Sequence, residues 1–254
     1  MGAVKLYKYL DFTGGLMMLH YSNLQFTNAT QLNDPFDCHP SLIDFSNVPK
    51  EACGGWTPEI IEELRRDPFR RTREEVWICS LSKIHDSILM WSYYSKHKGI
   101  CIGLDMEKAQ KYLSRIQGTI MIGCSEVEVQ YKDIVEKPNY FRNAKDFFHY
   151  QLSTKAKAWE HEQEVRLFIL DPWPTYMSLL PGQNDDKGPI DWKEVRAFPK
   201  IGGECFESVY LGINMDADEK SKIISVAQKL NPDIKIYQMG IDANAFKLNA
   251  ELIK

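Results

Sequence analysis

The stretch Val76–Asp105, VWICSLSKIHDSILMWSYYSKHKGICIGLD, decides the fold. Val76–Leu81 is a short apolar run rich in strand formers and bounded by the polar Ser82–Asp86, which predicts a strand. From Ser87 to Lys98 the spacing turns helical. Ser87, Met90, Trp91, Tyr94 and His97 recur at i, i+3, i+4, i+7 and i+10, so one helix face carries two large aromatics and a histidine. Gly99 is a natural C-terminal stop, and Ile100–Leu104 predicts a second strand. Met90 and Trp91 are the side chains of a core. Tyr94 and His97 carry polar atoms that need partners once buried, which makes them pocket candidates.

Working outward, Lys5–Leu10 alternates as a strand, with Leu6, Lys8 and Leu10 on one side and Tyr7 and Tyr9 on the other. Gly14-Gly15 interrupts the pattern before a short helix, Leu16–Tyr21, and Asn23–Thr27 predicts a further strand. Pro58–Arg65 reads as a polar helix inside a charged stretch that runs to Glu75. Beyond the central unit the pattern predicts a helix over Met106–Arg115, strands within Thr119–Tyr131, a long helix over Tyr140–Ala158 and a strand over Trp159–Leu170. A Pro/Gly/Asp-rich loop, Pro172–Pro189, follows. Strands at Val195–Phe198 and Val209–Ile213, a helix at Asp216–Leu230, and strand patterns at Ile234–Met239 and Phe246–Ile253 complete the chain. Strands and helices mix without regular βαβ alternation. The expectation is a single α+β domain over residues 1–254, a mixed, mainly antiparallel sheet with flanking helices, and 55–75 and 172–190 as insertions or loops. The strands Lys5–Leu10, Val76–Leu81, Ile100–Leu104 and Val165–Leu170 are expected to share one core.

Composition narrows the function. The 254 residues, 44% hydrophobic and 26% charged, are those of an ordinary globular protein able to bury a real core. A net charge of −4 speaks against a protein that coats nucleic acid, while leaving room for a local basic groove. No apolar run approaches the roughly 20 residues that span a bilayer, and the start MGAVKLYKYL lacks a signal-peptide core. The six cysteines (38, 53, 79, 101, 124 and 205) form no C-x-x-C pair, which fits buried thiols in a reducing, cytoplasmic setting. There is no P-loop, no G-x-G-x-x-G after a strand, no G-x-S-x-G elbow and no H-E-x-x-H, which argues against nucleoside-triphosphatase, Rossmann, α/β-hydrolase and zincin chemistry.

Two stretches carry candidate chemistry. In Trp159-Glu-His-Glu-Gln-Glu-Val-Arg166, a strand would turn Glu162, Glu164 and Arg166 to one face, each step of two separated by roughly 7 Å. A guanidinium can hold one glutamate ionised while the second acts as base or acceptor, with Lys155, Lys157, Trp159 and His161 close by. The same pattern also fits a solvated edge strand. In Asn33-Asp-Pro-Phe-Asp37, either Asp34 or Asp37 can bind a cation or orient a base, although an Asn-Asp-Pro turn explains those residue types by itself.

Taken in order, the signatures Leu6-Tyr-Lys-Tyr9, Asn33-Asp-Pro-Phe36, Cys79-Ser-Leu-Ser82, Met90-Trp-x-x-Tyr94 with His97-x-Gly-Ile-Cys-Ile-Gly103, and Trp159-x-x-Glu-x-Glu-x-Arg166 resemble an uncharacterised bacterial domain-of-unknown-function family. The resemblance implies a bacterial single-domain protein and supplies no activity. The chain is also distantly similar to the ADP-ribosyltransferase superfamily. Lys8, Ser80/Ser82 and Glu162-x-Glu164 follow that superfamily's chain order, with Lys8 standing where arginine or histidine is expected. This second resemblance implies cleavage of the nicotinamide–ribose bond of NAD, in which a carboxylate stabilises the cation that develops at the ribose.

Three functions compete. The first is NAD-consuming ADP-ribosyl transfer, with Glu164, Glu162 and Arg166 catalytic and Lys8, Asn33, Asp34, Ser80, Ser82, Trp91, Tyr94 and His97 lining the site for a small-molecule or nucleotide ligand. The second is a metal-dependent nuclease using Asp34, Glu162 and Glu164. The third is a non-catalytic binding or interaction domain in which the glutamates and Arg166 form a structural network.

Overall fold

β1 (Lys5–Leu10), β3 (Val76–Ser82) and β4 (Ile100–Asp105) lie at the middle of a large sheet. The computed structural model describes residues 5–44, 46, 57–59, 62, 73–74, 76–117, 124–140, 146–170, 190–193 and 195–254. The remaining strands of this sheet are β2 (Phe26–Asn28), β5 (Cys124–Glu128), β8 (Glu164–Leu170), β9 (Ile190–Lys193), β10 (Arg196–Pro199), β11 (Phe206–Leu211), β12 (Lys235–Ile241) and β13 (Leu248–Leu252). Their order is β13-β12-β11-β4-β1-β3-β2-β10-β9, and β8 and β5 branch from the other edge of β3. All pairings are antiparallel except β11 with β12, which are joined by the crossover helix Ala217–Leu230. A separate two-stranded parallel sheet joins β6 (Gln130–Lys132) to β7 (Thr154–Ala156). The fold is α+β, as the mixed pattern predicts.

The four strands expected to share a core do so. Leu6, Cys79, Leu81, Ile100, Ile102, Leu104, Val165, Leu167 and Ile169 belong to one buried cluster on one sheet face. Helices Phe12–Tyr21, Met106–Gln117 and Ala217–Leu230 contribute Leu19, Leu113 and Ile223 to it. On the opposite face, helix Ile88–Ser95 covers Tyr9, Cys101, Tyr210 and Met239 through Met90 and Trp91. Farther along that face, Cys38, Val76, Ile78, Val127 and Leu152 pack together.

Local chemistry moved several boundaries. Gly14 and Gly15 lie inside their helix, which starts at Phe12 under an Asp11 cap. Gly15 is pressed against β4, where an added Cβ would meet Ile100 Cδ1 at 2.3 Å. The central helix ends at Ser95, because Lys96 and His97 both take the left-handed conformation (φ 52° and 61°). His97 therefore leaves the face it would share with Tyr94. The expected helix over Tyr140–Ala158 is helical only at Asp146–Ser153 among its described residues. Trp159–Glu162 is not strand but part of a 3-10 turn, Lys157–Glu162. Gln163 ends that turn in a left-handed conformation (φ 44°), and β8 starts at Glu164. Asn23–Thr27 shortens to β2 plus an isolated bridge from Asn23 to Lys200. Most of 55–75 and all of 172–189 lie outside the described residues.

Candidate functional site

Between the aromatic patch under helix Ile88–Ser95 and the patch at Leu152 sits a buried ionic network. Its members are Asp37, Lys155, Glu162, Glu164 and Arg166, each no more than 5% exposed. Two pieces of chain deliver them, the turn that ends at Asp37 and the continuous run from β7 through a 3-10 turn into β8. The turn at Asn33–Phe36 brings in Asp37: Asp34 Oδ1 accepts from the Phe36 amide at 2.9 Å, and the Asp37 amide donates to the Asp34 carbonyl at 3.0 Å. β7, held beside β6, positions Lys155 opposite Tyr131. The 3-10 turn supplies Glu162, and β8 supplies Glu164 and Arg166. The left-handed Gln163 breaks the strand alternation between the two glutamates, and both reach the same ammonium.

Arg166 is the hub. Its Nε donates to Glu164 Oε1 at 2.9 Å and its Nη2 to Glu164 Oε2 at 3.0 Å, a two-pronged grip on one carboxylate. Nη2 also donates to Asp37 Oδ2 at 2.8 Å, with Oδ1 2.7 Å away outside hydrogen-bond alignment. Nη1 donates to the Leu152 carbonyl at 2.9 Å, satisfying an end group of helix Asp146–Ser153 with a cation that suits its dipole. Lys155 Nζ donates to Glu162 Oε2 at 2.5 Å and Glu164 Oε2 at 3.0 Å, and lies 3.6 Å from Asp37. Its ammonium also sits 5.1 Å from the centre of the Trp159 ring.

Three carboxylates face two cations, so full ionisation would leave one buried negative charge uncompensated. The carboxylates share that burden unequally. For Glu164, burial works upward, but the Arg166 and Lys155 charges and hydrogen bonds from Arg166 and Ser80 prevail and hold it well below the usual carboxylate range. For Glu162 and Asp37 burial wins and raises both, with repulsion from Glu164 adding to it. Lys155 and Arg166 are raised: burial opposes their charge, and the surrounding carboxylates more than offset it. Glu164 is thus the most firmly held anion, and Glu162 and Asp37 are the carboxylates that burial makes easier to protonate.

The network has one partly open side. Tyr94, 40% exposed, donates its hydroxyl to Glu162 Oε1 at 3.0 Å. Beside it Tyr93 is 67% exposed, with its ring 5.8 Å from His161 and 6.5 Å from Trp159. Ser82 ties this edge to the sheet by donating to the Glu162 carbonyl at 2.6 Å. Tyr131 accepts from the Glu164 amide at 2.7 Å, and burial pushes its hydroxyl up to about 12.

The other expected residues lie elsewhere. Lys8 shares the face of Leu6, opposite to Glu164, and reaches only the Ser80 carbonyl, at 2.8 Å. The register aligns Tyr7, not Lys8, with Ser82 and Glu164. Trp91 is 1% exposed and is a core side chain, donating its indole N–H to the His85 carbonyl at 2.8 Å. Asn33 is exposed on the turn, and Asp34 is buried but serves that turn instead of the network. His97 helps to line a separate hollow of about 550 Å³ with Ile88, Ile213 and Phe246.

Among the described residues, no group of three or more histidine, cysteine, aspartate or glutamate side chains is arranged to hold a metal ion. Asp37, Glu162 and Glu164 do converge, but the Lys155 ammonium occupies their focus. Asp37 and Lys155 complete the site; the sequence offers both as neighbours of the candidate stretches without placing them in it. The signal available for Lys155 was its nearness to the Glu-x-Glu-x-Arg run, and for Asp37 a carboxylate just past a tight turn.

Residues 90–167 match the family model described as "Protein of unknown function (DUF2971)". The matched segment runs from helix Ile88–Ser95 into β8 and contains Tyr94, Lys155, Glu162, Glu164 and Arg166, leaving Asp37 outside. No curated protein and no solved structure matches the chain. The comparisons therefore attach no activity to the network and lend no support to the ADP-ribosyltransferase resemblance. No helix among the described residues is long and apolar enough to cross a membrane.

Proposed function

We propose that this is a non-catalytic binding domain in which the five-residue ionic network is a structural frame. One observation carries the reading: both Glu164 oxygens are engaged by Arg166 and Lys155 inside the protein, at 3% exposure, so this carboxylate has no free lone pair directed at a ligand. A carboxylate that stabilises a developing ribosyl cation must touch it. The binding surface in this reading is the edge that the frame holds up: Tyr93, Tyr94, Trp159 and His161. The exposed rings of Tyr93 and Tyr94, with the half-buried rings of Trp159 and His161, suit a planar, ring-bearing small molecule such as a nucleotide. A bacterial, cytoplasmic setting accompanies the reading, supported by the four buried free thiols of Cys38, Cys79, Cys101 and Cys205.

NAD-dependent transfer keeps a foothold through Glu162, the network carboxylate bonded to a part-exposed hydroxyl. The nuclease reading would require displacing Lys155. Thermal-shift titrations with NAD, AMP, Mg²⁺ and Mn²⁺ separate the three. The binding reading expects a rise with a nucleotide, lost in Tyr93→Ala and Trp159→Ala, and no nicotinamide release. Nicotinamide release that disappears in Glu162→Gln at unchanged melting temperature would replace it with the transferase. Stabilisation by Mg²⁺ or Mn²⁺ that disappears in Glu162→Ala would replace it with the metal enzyme.

A further inference from the structure

β13 ends the main row of the sheet, and among the described residues it pairs only with β12. Two hydrogen bonds fix the phase of that ladder. Asp242 N donates to the Lys247 carbonyl at 3.1 Å, and Ile253 N donates to the Ile236 carbonyl at 2.9 Å. Between them the register pairs Gly240 with Asn249 and Gln238 with Glu251. Since antiparallel pairs alternate, Asn249 and Glu251 turn their peptide groups toward β12. Leu248, Ala250 and Leu252 present theirs outward.

Natural sheet edges are blunted by proline, bulges, inward-pointing charge or a covering element. β13 has no proline, and its register runs without a shift. It is flanked by exposed apolar side chains: Phe246 is fully exposed, Ile241 75% and Leu252 56%. By register Ile241 and Leu252 share the face of Leu248. The outer edge of β5 differs, because Glu126 and Glu128 are both exposed there and would meet like charges in a self-paired strand.

We infer that β13 is a dimerisation edge that pairs antiparallel with β13 of a second copy about a two-fold axis at Ala250, continuing the sheet across both copies. This register matches all five residues of the strand. Leu248 lies opposite Leu252, and Asn249 opposite Glu251, so no like charges stand directly opposite, and the two Glu251 side chains are diagonal neighbours. Glu251 of one copy falls one diagonal step from Lys247 of the other, on the same face, within reach of an ion pair. Leu248, Ala250 and Leu252 would form hydrogen-bonded pairs, about six backbone bonds in all. The partner would also cover Leu252. The inference stands apart from the binding reading above.

The full chain, 29.4 kDa as a monomer, is tested by sedimentation equilibrium from about 1 μM to about 100 μM. A dimer mass is expected for the wild type. Ala250→Pro, which removes an outward N–H and leaves the β12 ladder intact, and Leu252→Lys should each halve that mass while the far-UV circular dichroism stays unchanged. Register is tested by cysteine cross-linking. Ala250→Cys should oxidise to a disulfide-linked dimer because the axis brings position 250 beside itself, and Asn249→Cys should not. A wild type that stays monomeric throughout overturns the inference. So does a dimer that survives both substitutions, or one that cross-links as readily through position 249.

Discussion

Replacing Arg166 by methionine removes the hub of the network and leaves its volume nearly filled. Glu164 loses bonds of 2.9 and 3.0 Å, Asp37 one of 2.8 Å, and the Leu152 carbonyl one of 2.9 Å. Three buried carboxylates, Glu162, Glu164 and Asp37, are left with Lys155, 2.5, 3.0 and 3.6 Å away, as their shared counter-charge. Removing one partner from a buried ion pair costs about 3–5 kcal/mol. The stranded Leu152 carbonyl adds roughly 1–3 kcal/mol. At about 2–4 °C per kcal/mol for a chain of this size, the melting temperature should fall by roughly 8–32 °C. Scanning calorimetry at neutral pH measures it, and adding Glu164→Gln should recover part of the loss, because the two residues act as a pair. The deficit should also depend on pH. The Glu164 value lies below its unfolded value, so its contribution is full at neutral pH and fades as pH falls through the carboxylate range, near 4 and below. Wild type and variant should therefore converge on acidification. A fall of less than about 3 °C at neutral pH would refute the structural role assigned to the network.

Three further outcomes follow from the same geometry. Trp91→Ala, which empties a 1%-exposed site, should cost about 3–5 kcal/mol in denaturant unfolding, whereas His97→Ala should move the midpoint little; the reverse order would return His97 to the core. Glu162→Gln should gain on the wild type as pH rises: the wild-type carboxyl is raised by burial, so its contribution is complete below the ordinary carboxylate value and is lost above it, and a pH-independent difference in urea midpoint would contradict this. Gly99→Ala should destabilise by well over the ordinary surface change, since its Cβ would meet the Leu10 carbonyl oxygen at 2.1 Å and Asp11 Cα at 2.9 Å, and unaltered thermal unfolding would rule out that close approach.

The expected site was partly legible. Glu164 and Arg166 do share a strand face, as the alternation suggested, and Tyr94 stands near Glu162, as the expected shared site required. Glu162 reaches the same centre by another route, through the left-handed Gln163. His97 left the helix face because its own backbone, with Lys96, forms the left-handed end of that helix. Helical spacing extends a face until something stops it, and here the stop came two residues before His97. Lys8 was aligned with the serines and glutamates by chain order alone, and strand register set it on the other face.

By itself the sequence determined the α+β class and the shared core of β1, β3, β4 and β8, because alternation, helical period and residue size act within single segments. Only the tertiary structure decided that Asp37, Lys155, Glu162, Glu164 and Arg166 form one closed network, since Asp37 comes from far along the chain and the left-handed Gln163 bends the run Lys155–Arg166 so that its charges converge. It also decided how their affinities for a proton differ. A carboxylate in the bare sequence has its ordinary affinity for a proton. Burial raises Glu162 and Asp37, while the nearby Arg166 and Lys155 hold Glu164 low. Burial and distance belong to the folded arrangement, and no local pattern encodes them.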